Sequence, residues 1–136
     1  MPADTELVRR RFGEARVARL ATITEDGSPH LVPCTFVLDG ELVHTAVDAK
    51  PKSTLALKRL DNIRAHPSVT FLVDHYDEDW DALWWVRADG TARIVEDGPD
   101  RDRALTLLVE KYSQYREVAL PGAVITVTID RWRSWR

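Results

Sequence analysis

Three of the chain's four Asp-Gly pairs, Asp26-Gly27, Asp39-Gly40 and Asp89-Gly90, each fall between two stretches of alternating apolar and polar residues. Asp-Gly suits the tight turn of a β-hairpin, because glycine adopts positive φ without strain and such turns match the strand twist. A chain punctuated this way is expected to fold as antiparallel sheet. The alternating stretches are residues 17–23, 30–38, 41–47, 68–75, 83–88, 91–95 and 123–131. In the sixth to eighth decades, Val69, Phe71 and Val73 point to one side; near the C-terminus Ile125, Val127 and Ile129 do the same.

Three helices interrupt the strands. Asp4 or Thr5 caps the first, with Leu7, Val8, Phe12 and Ala15 on one face. Ser53 or a neighbour caps the second, whose buried face holds Ala56, Leu57, Leu60 and Ile63 before Pro67 stops it. Pro99 opens the third, which is expected to run to about Tyr115. Seven short strands in 136 residues are expected to close into a barrel, since closure removes exposed edges. The step from 41 to 75, strand then helix then strand, is the natural place for a crossover at a split. No Gly-x-Gly-x-x-Gly occurs and the helices are too few for a doubly wound nucleotide-binding fold. The expected fold is mainly β with flanking helices, one domain over 1–136.

Composition bounds the partners. A chain that is 44% hydrophobic and 30% charged can build a core. Its net charge of −3 argues against a general nucleic-acid binder. No apolar run reaches membrane-spanning length and no signal peptide is evident at Met1-Pro2-Ala3-Asp4. The lone Cys34 excludes an internal disulfide and fits a reducing compartment, so a cytoplasmic protein is expected.

The stretch Lys50-Pro51-Lys52-Ser53-Thr54 opens the second helix. A helix start carries unpaired N–H groups and a partial positive charge, so two lysines and two hydroxyls there make a candidate phosphate seat. The bland alternatives are solvated lysines and a plain helix cap. Cys34, on an apolar strand without a histidine-centred dyad, reads as buried and inert. The four histidines, His30, His44, His66 and His75, lack zinc-type spacing, so no metal is expected. Five tryptophans (80, 84, 85, 132 and 135) suggest one shared apolar surface, suited to core, dimer or pocket wall. The acidic run from Asp74 to Asp81 lacks a calcium loop's glycine and closing glutamate and reads as a solvated loop.

Taken in order, Ala18-Arg19-Leu20-Ala21-Thr22, Asp26-Gly27-Ser28-Pro29-His30, Lys50-Pro51-Lys52, Asn62-Ile63-Arg64, Phe71-Leu72-Val73-Asp74-His75-Tyr76, Leu83-Trp84-Trp85-Val86-Arg87 and Arg131-Trp132 span nearly the whole chain. Together they resemble the pyridoxamine-phosphate-oxidase-like split-barrel superfamily, and within it the F420-dependent, or deazaflavin, oxidoreductases. The resemblance implies a homodimer of antiparallel split β-barrels with two cofactor sites at the subunit interface. It places Pro33, Cys34 and Thr35 along the cofactor ring. His44, Thr45, Lys50, Lys52 and Ser53 would hold the ribityl chain and phosphate, with Lys58 and Arg59 as further phosphate contacts. Trp85 and Trp132 would reach the ring from the partner subunit. The implied activity is hydride transfer from reduced coenzyme F420 to a small-molecule substrate. FMN is the alternative cofactor, and a non-catalytic flavin, deazaflavin or tetrapyrrole binder is the alternative function.

Overall fold

Asp4 caps the first helix: its Oδ1 accepts from the Glu6 N–H at 3.0 Å, and Val8 and Phe12 bury one face of the helix that follows. The computed structural model describes residues 4–47, 54–118 and 120–136, and within its second helix the side chains from Lys58 onward. The chain runs α1 (Thr5–Glu14), β1 (Ala18–Ile23), β2 (Pro29–Cys34), β3 (Val37–Asp39), β4 (Leu42–Ala46), α2 (Thr54–Ala65), β5 (Ser68–His75), β6 (Trp84–Val95), α3 (Gly98–Lys111) and β7 (Val124–Trp135). Short 3₁₀ turns occupy Trp80–Ala82 and Ser113–Arg116.

The seven strands form one sheet in the order β2-β1-β5-β6-β7-β4-β3, and every neighbouring pair is antiparallel. Its two edge strands, β2 and β3, are joined by only Thr35 and Phe36. Six strand spacings laid flat would separate those edges by about 29 Å. The link from Cys34 to Val37 reaches about 11 Å at most. The sheet therefore curls until its edges nearly meet. Inside the curl lie Phe12, Phe36 and Phe71, all fully buried, with the Phe12 and Phe36 rings 4.9 Å apart and Trp132 edge-on to Phe12 at 5.2 Å.

The sequence predicts one strand over 30–38; the structure has two. The chain leaves one sheet edge at Cys34 and joins the other at Val37. Between them the Phe36 backbone finds its partner in a side chain, not a strand: the Tyr112 hydroxyl accepts from the Phe36 N–H at 3.2 Å and lies 3.1 Å from its carbonyl. That hydroxyl also donates to the Arg16 carbonyl at 2.8 Å. Tyr112 thus bolts the barrel's closing corner to the α1–β1 link.

The second correction is at Asp89-Gly90. No hairpin forms there. β6 runs straight through from Trp84 to Val95, and Asp130 is bulged out of the facing strand, since Asp89 pairs with Arg131 and Gly90 with Ile129. Gly90 serves close approach: a Cβ there would stand 2.3 Å from the Thr128 carbonyl oxygen. With β6 twelve residues long, β7 extends to Trp135 and the expected C-terminal tail becomes strand. Helix α3 stops at Lys111, short of Tyr115, because Tyr112 turns inward to its bolt. The expected crossover is present: α2 lies between β4 and β5 in the chain, and β7 and β6 stand between those two strands in the sheet.

Candidate functional site

The closing corner brings together polar groups of β2, β4, the link after β2 and the turn after α3. In β4, the Thr45 hydroxyl donates to the Thr35 carbonyl at 2.7 Å, and the same hydroxyl is a hydrogen-bond partner of the Cys34 thiol. Thr35 Oγ1 lies 2.6 Å from the Tyr115 hydroxyl, which reaches in from the turn after α3. From α2, the Arg59 charge falls on Cys34; from the last turn of α3, so does that of Lys111. Burial dominates at the thiol and pushes it up to about 11, so Cys34 stays a thiol at neutral pH.

Two cations whose charges act on this thiol have a nitrogen without a partner among the described residues. Arg59 Nε and Lys111 Nζ are both shielded from solvent, and neither has a hydrogen-bond partner among the described residues. Lys111 Nζ rests 3.8 Å from the centroid of the Phe36 ring. Burial and the nearby Arg16 guanidinium pull its ammonium down to about 8.

Of the ring and phosphate residues expected from sequence, Cys34, Thr35 and Thr45 thus meet at one place, and the charge of Arg59 acts on the thiol there. Pro33 is exposed on β2, opposite Arg19 of β1. Lys50, Lys52 and Ser53 lie outside the described residues. Lys58 is exposed and faces a different cleft, of about 740 Å³, with His30, Asp61 and Asn62 on its walls. His44 is engaged elsewhere. It is 3% exposed, with Nδ1 2.9 Å from Thr126 Oγ1 and Nε2 3.2 Å from Asp39 Oδ2. Arg103 donates to both oxygens of that carboxylate, at 2.8 and 2.9 Å, and holds it down to about 2.

Trp85 and Trp132 sit on opposite faces of the sheet. Trp132 pairs with the fully buried Ala88, packs on Phe12 and donates its Nε1–H to Glu41 at 3.3 Å. Trp85, three positions along β6 from Ala88, alternates to the outside, next to Trp135 and Asp74. The tryptophans therefore form no single apolar surface: Trp84 and Trp132 pack on the core, while Trp80 and Trp135 are 67% and 41% exposed. The sequence reading missed Lys111, Tyr112 and Tyr115. Only their position at the end of a helix pattern hinted at them, and no motif ties that end to β2.

Across the outer face of β1, β5, β6 and β7 lies a groove of about 940 Å³ with Ala21, Thr70, Arg87, Asp89 and Arg131 on its walls. Asp89 is clamped there, 3.2 Å from both Arg87 Nε and Arg131 Nε and accepting from Thr70 at 2.9 Å. Among the described residues, no three His, Cys, Asp or Glu side chains gather as a metal set, and no helix is long and apolar enough to cross a membrane.

The architecture is shared with solved structures. A conserved hypothetical protein, Rv2991, from Mycobacterium tuberculosis is 24% identical, with a TM-score of 0.78 over 99% of this chain and 85% of that one. A FAD-binding protein from Mesorhizobium loti is 21% identical, with a TM-score of 0.71 over 96% and 93%. The haem storage protein HutZ from Vibrio cholerae is 16% identical, with a TM-score of 0.74 over 99% and 94%. At these identities the likeness is one of fold. No curated protein matches the sequence. The pyridoxamine 5'-phosphate oxidase family matches residues 4–136, which takes in the curled sheet and the closing corner alike, and this chain belongs to that family.

Proposed function

We propose that this protein is an oxidoreductase that binds a phosphate-bearing tricyclic redox cofactor, coenzyme F420 in the first instance and FMN as the alternative, and reduces a small organic acceptor. The observation that carries the reading is Arg59, whose charge acts on Cys34 and whose Nε is shielded without a partner among the described residues. A shielded guanidinium N–H without an acceptor is costly, and a bound anion would complete it. The donor set suits the group: one fork of N–H donors for a phosphate and a strand edge, β2, against which a flat ring can lie.

Bound and reduced, the cofactor supplies a hydride, the acceptor gains two electrons, and water supplies the balancing proton. The chain's part is to orient and to exclude water. Cys34, held as a thiol, offers the ring an uncharged neighbour. In this reading two copies pair through the uncovered outer face of β1, β5, β6 and β7, where Trp85 and the Asp89 clamp lie, and the cofactor sits at the seam.

The test is titration of the purified protein with F420 and with FMN, followed by cofactor fluorescence, alongside Arg59→Gln. Micromolar binding of one cofactor, weakened about tenfold or more in the variant, is the expected result. Failure of both cofactors to bind overturns the reading. Binding without turnover is a second reading, favoured by the haem storage and FAD-binding proteins among the fold neighbours. It prevails if the bound, reduced cofactor is reoxidised by a panel of acceptors no faster than free cofactor.

A further inference from the structure

Two motifs singled out in the sequence, Asp26-Gly27-Ser28-Pro29-His30 and Asn62-Ile63-Arg64, have no part in the cofactor reading. The structure brings them to one cleft of about 740 Å³, with the β1–β2 turn as one wall and α2 as the other. Asn62 is the most buried residue lining it, at 2% exposure. It gives its Nδ2–H to the Thr22 hydroxyl at 3.1 Å. His30 stands opposite Thr22 in the β1–β2 register, so the two side chains share a face. The Asn62 amide oxygen receives no hydrogen bond among the described residues, and His30 Nδ1 is shielded with no partner there either. Buried polar groups in folded proteins are paired, so this floor calls for a bound molecule that brings hydrogen bonds.

The walls decide the charge of that molecule. Three carboxylates, Glu25, Asp26 and Asp61, stand against the single ammonium of Lys58. Hydrogen bonds from Thr24 and Ser28 hold the Asp26 carboxyl below the usual carboxylate range, so it is ionised at neutral pH. The excess of negative charge disfavours a phosphate, and so sets the cleft apart from the site of an anionic cofactor. An organic ammonium suits it instead: three N–H donors for the amide oxygen and the carboxylates, and a charge of the opposite sign. We propose that this cleft binds a small organic amine in its protonated form, with the ammonium between Asn62 and the carboxylates of Glu25 and Asp61. The proposal goes beyond the cofactor reading and does not rest on it.

The probe is the diamine putrescine, titrated into the full chain without cofactor, with the uncharged diol of the same length and inorganic phosphate as controls. The chain has four histidines, at 30, 44, 66 and 75, so imidazole NMR reads each, with His30→Gln assigning the first. Putrescine is expected to move the His30 resonances with a Kd of about 0.1–1 mM and to leave the enclosed His44 in place. Glu25→Gln, on an exposed turn, keeps its melting temperature and weakens the diamine about threefold, whereas Lys58→Gln strengthens it about twofold. A His30 signal unmoved at about 10 mM diamine overturns the proposal and leaves water as the partner of the floor. Equal shifts with the diol overturn the assignment to a cation, and a larger shift with phosphate overturns it too. Uniform shifts at all four histidines, unchanged in Glu25→Gln, mean general charge screening and also overturn it. Because the titration contains no cofactor, failure of F420 and FMN to bind leaves the amine site standing.

Discussion

Two polar clusters flank β4, and they differ in one respect. On one side, His44, Thr126, Asp39 and Arg103 form a closed set in which both imidazole nitrogens and both carboxylate oxygens have partners. On the other, the charges of Lys111 and Arg59 act on Cys34, beside Thr45 and Thr35, while Lys111 Nζ and Arg59 Nε have no partner among the described residues. Neighbouring residues of a strand point to opposite faces, so His44 and Thr45 serve the two clusters in turn. The closed set has no capacity left for a ligand and earns its place in stability. The open set is incomplete by the same measure, and incompleteness in a shielded place points to a ligand.

The largest effect expected is at the bolt between them. Tyr112→Phe removes the partner of both Phe36 backbone groups and of the Arg16 carbonyl, and is expected to cost about 3 kcal/mol in urea unfolding. A loss below about 0.5 kcal/mol would mean the corner is held some other way. Next comes His44→Ala. It strands the Thr126 hydroxyl and leaves a cavity, at about 2 kcal/mol, with cofactor affinity unchanged within about twofold. Loss of binding at full stability would move His44 into the open cluster and break the contrast.

Acid sharpens the comparison further. The Arg103 fork holds the Asp39 carboxyl down to about 2, below the roughly 3.9 of an unfolded chain. Its stabilisation is therefore complete above about pH 4 and is lost as the pH falls toward about 2. Asp39→Asn is expected to flatten that part of the stability profile; an unchanged slope between wild type and variant would rule the fork out as its source. The smallest effect on stability belongs to Arg59→Gln, within about 0.5 kcal/mol, because it removes a partly exposed side chain whose Nε has no partner among the described residues.

What was legible in the chain follows the range of the forces involved. The Asp4 cap, the Phe12 face, the Asp39-Gly40 hairpin and the bounds of β5 are local matters, set by neighbours within a few residues. Asp89-Gly90 shows the limit. The same dipeptide that turns the chain at Asp39-Gly40, where Gly40 has φ of 62°, lies flat in β6, where the tight approach of Thr128 selects the glycine. Thr35-Phe36 shows it again, since the break there depends on a tyrosine 76 residues further on.

Alternation and turn chemistry by themselves determined that this chain makes antiparallel sheet with three helices, and its motifs brought Cys34, Thr35, Thr45 and Arg59 into consideration. Only the curling of the sheet decided that Cys34 lies within reach of the Lys111 charge, that His44 is turned away into a closed network, and that Trp85 and Trp132 part company. The reason is that side-chain period and capping act over one or two turns of chain, whereas a buried charge acquires or lacks its partner from strands and helices that sequence places far apart.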